Sequence, residues 1–510
     1  MRGSRPTVEV PEEAGSGRIT GRLRLALVVI CFTQLMMVLD GTVVTVALPS
    51  IQRGLDMSTV GLVWVTTAYT LTFSGFLLFG GRIGDLYGRR RLFIIGIGLF
   101  TVASLLGGLA VDDISLIVTR GLQGIGSAIA SPTALSLVIT NFPEGKLRNK
   151  AMGAYAGMSS IGGAIGQIVG GLLVDMVSWR WIFFINVPFG LLIMYLARRA
   201  LDEGRHRRGR LDGIGALTVT AGMVLLVFGL TDAASNGWGS ASVLGSLIGG
   251  VALLVVFVIW EARTPHALMP LRIFKDRTRA GAYIVGFFLG TGSVAAFFFV
   301  TLYLQEVLGF GALQTGMSFL PIAGVVIIAT QVTSRLVNRY PLYLLIAIGA
   351  LVDALGLGWL SMMDANSSFI DILLPQLVMW YGSGTAMVPL VLAAVSGVSD
   401  AEAGLASAVQ STCQRMGGAI GLAVLATVSV MVTNNDLESA GTGAVTEQVR
   451  HAAMTHGYAQ AILGGACIAM VSFALTVLIF GIGKGRSASR NRRPRNPESG
   501  GGSEARLRKP

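Results

Sequence analysis

The sequence predicts an all-α polytopic membrane protein, and three observations carry that prediction: composition, the length of the apolar segments and the distribution of basic residues. Of the 510 residues, 53% are hydrophobic and 13% are charged, and the mean hydropathy is +0.68. Soluble domains carry about 25% charged residues. The net charge of +12 comes from short loops and tails between apolar segments. This placement favours cytoplasmic anchoring by the positive-inside rule over binding to nucleic acid.

Fourteen apolar segments are long enough to cross a membrane, which takes about 20 residues. Charged residues, prolines and glycines mark their ends. The sequence predicts six helices near 24–48, 60–80, 92–110, 115–139, 150–173 and 180–200. Two more helices follow near 212–232 and 242–261. The last six are predicted near 280–305, 313–333, 341–362, 370–396, 404–432 and 457–482.

The basic residues support an even number of helices with both termini in the cytoplasm. With this orientation the inner loops hold most lysines and arginines, and the outer loops hold only Arg53, Arg180 and Arg450. One missed helix would reverse the pattern in every later loop. The loop after helix twelve carries Asp400 and Glu402 but no lysine or arginine, and gives the assignment its weakest support.

An internal repeat divides the chain into two halves. The loop after helix two reads GRIGDLYGRR, and the loop after helix ten reads SRLVNRY. Parallel repeats of this kind are typical of transporters, whose substrate site lies between the halves. We expect disordered cytoplasmic tails at 1–23 and 483–510, six-helix bundles at 24–200 and 280–482, and two inserted helices with basic flanking loops at 201–279.

A carboxylate and a guanidinium lie deep within apolar helices. Asp40 is in helix one and Arg120 is in helix four. A charge at such depth costs roughly 3 kcal/mol or more on insertion scales, so it needs a protein interior or a wet cavity and a partner. A rise of about 1.5 Å per residue puts both on the outer side of the midplane. We therefore expect them to share one cavity, although the sequence alone does not show contact.

Two glycine-rich segments suggest moving parts. The loop after helix two is predicted to be a conformational gate, with a positive-inside loop as the plainer alternative; its residues are Gly81, Arg82, Asp85, Gly88 and Arg89. Glycines of helix five are spaced for close helix packing. We interpret them as a packing hinge, with packing alone as the alternative: Gly153, Gly162, Gly166, Gly170 and Gly171.

These segments resemble the major facilitator superfamily, in particular its 14-helix drug:proton antiporter branch of the EmrB/QacA type. LDGTVVTVALP resembles the helix-one signature, GRIGDLYGRR the loop motif after helix two, and LIVTRGLQGIGSA the helix-four motif. The helix-five glycines resemble the antiporter motif, and WRWIFFINVPFG is typical of the 14-helix branch. GSAIASPTALSLV and SWRWIFFINVPFGLLIMYLARRAL resemble the mycobacterial efflux pump A group, which suggests an actinobacterial origin.

The resemblance implies a cavity lined by helices one, four, nine and twelve. Gln167 stands where the antiporter motif usually has proline, and Thr45 where the helix-one signature usually has asparagine. Aromatic and polar groups together suit lipophilic or cationic ligands, whereas core or bilayer packing explains many single aromatic residues. The predicted substrate-cavity residues are Tyr69, Gln123, Gln167, Phe298, Tyr303, Trp380 and Tyr381.

The predicted function is proton-coupled efflux from the cell membrane by alternating access. Asp40 would exchange the coupling proton and Arg120 would tune its affinity. The expected cargo is a small amphiphilic drug, antibiotic or dye, with a lipid or a self-made metabolite as the alternative. Roles for Asp353 and Arg415 stay open.

Other function classes find no support in the sequence. It contains no nucleophile constellation, metal-ligand spacing or P-loop, so we expect neither an enzyme nor a cofactor or metal. Protons, cargo and membrane lipids are the expected partners, with no nucleic acid and no obligate protein partner. The cysteines Cys31, Cys413 and Cys467 all fall inside apolar segments and are interpreted as small hydrophobic residues.

Overall fold

A computed structural model describes residues 21–142, 146–203, 212–265, 267–398, 400–440 and 446–481. Within these ranges, fourteen helices are long and apolar enough to cross a membrane, which confirms the predicted number. The predicted C-terminal tail lies outside the described residues, as does the N-terminal tail up to residue 20.

The fourteen membrane helices are labelled α1 to α14 in chain order. Those of the first half are α1 (Gly21–Leu55), α2 (Thr59–Tyr87), α3 (Arg89–Gly108), α4 (Asp113–Asn141), α5 (Lys146–Met176) and α6, which has two pieces (Trp181–Phe184 and Asn186–Ala200). The next two are α7 (Gly213–Asn236) and α8 (Ala241–Arg263). The second half contains α9 (Arg277–Leu302, continued as a π-helix over Tyr303–Val307), α10 (Ala312–Ser318 and Leu320–Leu336), α11 (Leu342–Leu360), α12 (Phe369–Ala394), α13 (Asp400–Ser439) and α14 (Glu447–Thr476).

Several helices extend past their predicted bounds, and the structure shows a local cause at two of these boundaries. Helix α1 continues past residue 48 to Leu55, because Pro49 lies inside a packed region where it and its neighbour Leu48 are buried. Neighbouring helices compensate for a proline in a membrane helix. Helix α14 begins at Glu447 instead of 457, because the Thr446 side chain accepts a hydrogen bond from the backbone of Val449 and caps the first turn.

The two halves repeat the same helix packing. A Cβ atom on Gly126 of α4 would lie 2.8 Å from the carbonyl oxygen of Gly96 on α3. In the second half, a Cβ on Gly382 of α12 would lie 2.7 Å from the carbonyl oxygen of Gly349 on α11. Both helix pairs therefore cross where each partner has a glycine, so their backbones approach closely.

The halves meet at the end of the bundle where α5 ends and α10 begins. A Cβ on Gly171 would lie 2.4 Å from the Cα of Leu313, and Gln305 on α9 donates to the carbonyl oxygen of Val46 on α1 at 2.8 Å. Near the start of α5, at Gly153 and Gly157, no described atom lies within 4 Å of where a Cβ would stand. The structure is thus closed at the first end, and no described residue packs against these two positions at the start of α5.

The inserted helix α7 packs against both halves. The Cβ of an alanine at Gly75 on α2 would clash with Thr220 on α7. On the other side, the hydroxyl of Thr427 on α13 donates to the carbonyl oxygen of Leu230 at 2.7 Å. Helix α8 packs mainly on α7 and exposes large apolar side chains on its remaining surface. The pair therefore covers the junction between α2 and α13.

Candidate functional site

The two charges predicted to share a cavity are in direct contact. A guanidinium nitrogen of Arg120 donates to Oδ2 of Asp40 at 2.7 Å. Asp40 is 0% exposed and Arg120 is 2% exposed. The pair therefore lies in a packed protein interior in this conformation, which is one of the two environments expected for charges at this depth.

The second carboxylate oxygen of Asp40 also accepts hydrogen bonds. Oδ1 of Asp40 accepts from the amide of Gln123 at 3.2 Å and from the amide of Asn186 at 2.9 Å. Both amides also donate to the hydroxyl of Ser104, at 2.7 and 3.0 Å. Residues of α1, α4 and α6 therefore meet at one carboxylate, and Ser104 of α3 joins the network through the two amides. Three donors satisfy the carboxylate, since a buried charge is tolerated when it is paired and hydrogen-bonded.

Arg120 has partners besides the carboxylate. Its Nε donates to the carbonyl oxygen of Val65 on α2 at 3.1 Å, and the nitrogen that contacts Asp40 also donates to Oε1 of Gln123 at 2.9 Å. Its guanidinium carbon lies 4.5 Å from the centroid of the Tyr69 ring. A cation over an aromatic face is stabilised by the ring quadrupole. Arg120 would therefore keep two acceptors and a ring if Asp40 became neutral.

The first turn of α4 is capped by side chains. This cap fixes where the helix begins, and so fixes the depth in the bundle of Arg120, two turns further along. Asp112 and Ser115 form a capping box, in which Oδ1 of Asp112 accepts from the backbone of Ser115 at 2.7 Å. This backbone hydrogen bond lowers the pKa of Asp112, which lies outside the membrane-spanning helices. The ionised carboxylate also suits the positive end of the helix dipole.

The predicted gate loop contacts its own half. Gly88 has φ +107, so glycine permits the turn between α2 and α3. Arg89 donates to the hydroxyl of Thr140 on α4 at 2.6 Å, and Arg82 is exposed. A Cβ on Gly81 would be 3.5 Å from Pro132 of α4. The side chain of Asp85 lies outside the described part of the structure, and the gating role stays a prediction.

The helix-five glycines face two different partners. Gly162, Gly166 and Gly170 pack against α1, where added Cβ atoms would lie within 3.3 Å of Val38, Thr42 and Val43 respectively. Gly171 instead packs against α10, as described above. Gly153 has open space at its Cβ position. Close packing thus accounts for four of the five glycines, and their role as a hinge stays a prediction.

Two residues predicted to line the substrate cavity, Gln123 and Tyr69, instead contact the Asp40–Arg120 ion pair. Gln123 is fully buried, because its amide bridges Asp40, Arg120 and Ser104. Tyr69 lies beneath Arg120 and its hydroxyl donates to Ser127 at 3.1 Å. In this conformation both side chains hold the charged pair in place and do not line an open space.

The remaining predicted cavity residues lie in the second half or next to it. Phe298 and Tyr303 are packed in the core, and the Tyr303 hydroxyl donates to loop carbonyl oxygens of Asp364 and Ser367. Trp380 is half-buried with an indole nitrogen that lacks a described partner, and Tyr381 is 38% exposed. Gln167 is buried, and its backbone carbonyl faces Gly316 of α10. Phe298 and Tyr303 share one core cluster, against which Trp380 packs, and the role of these residues in a substrate cavity stays a prediction.

Asn186 and Ser104 are site residues that the sequence analysis missed. Asn186 lies 146 positions from Asp40 in the chain. In the sequence, Asn186 could have been noticed as a polar amide within the apolar segment IFFINVPFG. A polar side chain inside a membrane helix usually faces the bundle interior. Among the described residues, no group of acidic, histidine or cysteine side chains could hold a metal ion.

Fourteen membrane helices in two repeats, with a buried ion pair between helices of one repeat, define the class of polytopic membrane transport proteins. The family described as Major Facilitator Superfamily matches residues 30–422. The chain belongs to this superfamily, whose members are transporters.

Similar proteins come from actinobacteria. The uncharacterized MFS-type transporter EfpA of Mycobacterium tuberculosis is 39% identical over 459 residues, which cover 89% of this chain and 86% of the relative. The puromycin resistance protein pur8 of Streptomyces alboniger is 40% identical over 443 residues, 86% and 87% of the two chains. The cephamycin export protein CmcT of Amycolatopsis lactamdurans is 38% identical over 429 residues, 83% and 88%.

A solved structure shares the fold. A bacterial homolog of the human lysosomal transporter Spinster, in an inward-facing and unoccupied conformation, superposes with a TM-score of 0.68 at 15% identity. The match covers 94% of this chain and all of that one. At this identity the likeness supports the fold alone.

Proposed function

We propose that the protein is a proton-coupled exporter of amphiphilic small molecules, which works by alternating access. The observation that carries this proposal is the buried Asp40–Arg120 pair, at 2.7 Å. A carboxylate in a membrane interior marks a proton site by default. The resistance and export functions in the names of two relatives support efflux as the direction.

The coupling step follows from the hydrogen bonds around Asp40. In the described conformation the carboxyl group of Asp40 accepts from three donors. A proton on Asp40 would cancel the attraction to Arg120, which still has Val65 and Gln123 as acceptors. The neutral acid would then hold α1 and α4 together less tightly. Protonation and helix movement are thereby linked, as alternating access requires.

The positive-inside distribution supports placing both termini in the cytoplasm. With this orientation, the closed end at Gly171 and Leu313 faces outward and the start of α5 near Gly153 faces the cytoplasm. Cargo would enter from the cytoplasmic side, where no described residue packs against Gly153. We keep the division into bundles at 24–200 and 280–482 with an inserted pair at 201–279, and the packing of α7 against α2 and α13 supports it.

A second candidate cargo is a metabolite that the producing cell makes itself. The cephamycin export protein among the relatives favours this alternative. Both candidates use the same transport cycle and differ only in the molecule carried.

The direct test is transport in proteoliposomes with an imposed pH gradient. We expect Asp40→Asn to lose gradient-driven dye transport, because it cannot exchange a proton. Breaking one side of a buried ion pair typically destabilises a protein by about 3–5 kcal/mol. The variant therefore requires a control for folding.

The double variant Asp40→Asn/Arg120→Gln provides that control, because it removes both charges and leaves polar side chains at both positions. It should fold and carry cargo down its own gradient without response to pH. Glu438→Gln, at an exposed position, should behave as the wild type. Gradient-driven transport by a folded double variant at the wild-type rate would refute the assignment of Asp40.

A further inference from the structure

A second arginine lies well inside a membrane helix and has no acidic partner among the residues that the structure describes. Arg415 is on α13, and its guanidinium carbon lies 4.6 Å from the centroid of the Phe73 ring. Phe73 is midway along α2. Among the described residues Arg415 makes neither a hydrogen bond nor an ion pair, whereas Arg120 has an ionic partner and two further acceptors.

The surroundings show that Arg415 faces the space between the halves. Its side chain is exposed, although it stands at mid-depth. Two ionisable side chains of the opposite half are close enough to interact electrostatically with the Arg415 guanidinium: Tyr69 of α2 and Tyr155 of α5. Helices α2 and α5 of the first half therefore face the guanidinium, which lies between the halves and not on the lipid-facing surface.

Among the described residues, no carboxylate acts on Arg415. The nearby carboxylate of Asp40 is paired with Arg120. Aromatic side chains supply the rest of the contact surface around Arg415: Phe73 lies against the guanidinium, and Phe73 stacks on Tyr69 with centroids 6.0 Å apart. An apolar wall with one unpaired cation repels cationic cargo and complements a negatively charged group. Arginine is also well suited to carboxylate and phosphate, because its guanidinium can donate two parallel hydrogen bonds.

We infer that Arg415 binds the acidic headgroup of the cargo, which is an anionic amphiphile bearing a carboxylate or a phosphate. The inference rests on the proposed transport function and narrows its cargo. It also departs from the expectation of lipophilic or cationic ligands that the aromatic residues alone suggested. The bound anion supplies the partner that the protein does not provide at this depth.

The test compares probes that differ in head charge. The purified full-length protein is titrated, without any pH gradient, with two fluorescent single-chain amphiphiles of the same tail and fluorophore. One ends in a carboxylate and the other in a trimethylammonium group. A third probe is fluorescent phosphatidylglycerol. We expect the wild type to bind the carboxylate roughly tenfold more tightly than the ammonium, as one charge-assisted hydrogen bond implies.

Substitutions of Arg415 test whether this residue causes the preference for acidic probes. Arg415→Gln should abolish it, and Arg415→Lys should retain part of it, because lysine keeps the charge but not the bidentate geometry. Arg339→Gln removes an exposed arginine outside this space and should leave binding unchanged. A headgroup preference shown by phosphatidylglycerol but not by the single-chain acid would identify a lipid as the cargo, and the reverse would identify a free acid.

Two results would overturn the inference. One is a wild type that binds the ammonium probe as tightly as both acidic probes, a comparison that needs no variant. The other is a folded Arg415→Gln protein that keeps the acidic preference. The double variant Asp40→Asn/Arg120→Gln should keep the preference for acidic probes while losing proton drive. A wild type that shows no transport driven by a pH gradient, but keeps the preference for acidic probes, would count against the proposed function alone.

Discussion

At the scale of single residues, the site is one carboxylate whose acceptor positions are used by side chains from several helices. Asp40 and Arg120 could be predicted because a charge inside an apolar segment is conspicuous in the sequence. Asn186 and Ser104 could not, because amides and hydroxyls are common in membrane helices. Their contacts depend on how α3 and α6 pack against α1, which no local pattern records.

Asn186→Ala tests the contribution of one of these hydrogen bonds. The variant removes a donor at 2.9 Å from Oδ1 of Asp40 and leaves that charge less well satisfied. Loss of a partner from a buried charged group costs about 1–3 kcal/mol or more. We expect a lower midpoint of thermal unfolding in detergent. The control Asn434→Ala, at an exposed position of α13, should unfold at the wild-type temperature.

Equal midpoints for Asn186→Ala and the wild type would show that Asp40 does not depend on this donor. The carboxylate would then have to find a replacement, such as a water molecule. The proposed role of α6 in holding the charged form would be lost with that result.

At the scale of helices, glycine positions decide which surfaces approach closely. The spacing of glycines in α5 was visible in the sequence, but the partner of each glycine was not. Gly166 faces α1, Gly171 faces α10, and at Gly163, one turn before Gly166, no described atom lies near the Cβ position. A periodic stripe therefore predicts close packing, whereas the three-dimensional structure shows which half of the molecule lies against each position.

A matched pair of alanine substitutions on α5 tests this reading. A Cβ on Gly166 would clash with Thr42 and lie 3.2 Å from the Cα of Leu39, whereas a Cβ on Gly163 would meet no described atom within 4 Å. Overpacking costs about 1–3 kcal/mol. Replacing an unhindered helical glycine by alanine gains up to about 1 kcal/mol. Thermal unfolding should therefore fall for Gly166→Ala and stay level or rise for Gly163→Ala.

If both alanine variants unfold at the same temperature, the contact between α1 and α5 is looser than the structure indicates. Transport by the same variants separates the two interpretations of the stripe. A packing role alone predicts that activity follows stability. A hinge role predicts that Gly166→Ala slows transport even at temperatures where the protein remains folded.

At the scale of the whole molecule, the sequence predicted the number of helices, the two repeats and the inserted pair. It could not predict which end of the bundle is closed, because an alternating-access transporter visits both arrangements with the same sequence. The closed end depends on contacts between halves. Asp175 at the end of α5 accepts from the backbone of Ala312 and Leu313 at 3.1 and 2.8 Å. These contacts cap the first turn of α10 from the other half.

A reversible disulfide across the closed end tests whether this contact must open during transport. A Cβ on Gly311 would lie 3.8 Å from Cγ of Asp175, close enough for Asp175→Cys/Gly311→Cys to form a disulfide with little adjustment. The variant is made with Cys31, Cys413 and Cys467 replaced by alanine. Oxidation should stop gradient-driven transport and a reductant should restore it, because alternating access requires α5 and α10 to separate. The oxidant should not change gradient-driven transport by either single-cysteine variant. Undiminished transport by fully cross-linked protein would mean that this end stays closed throughout the cycle.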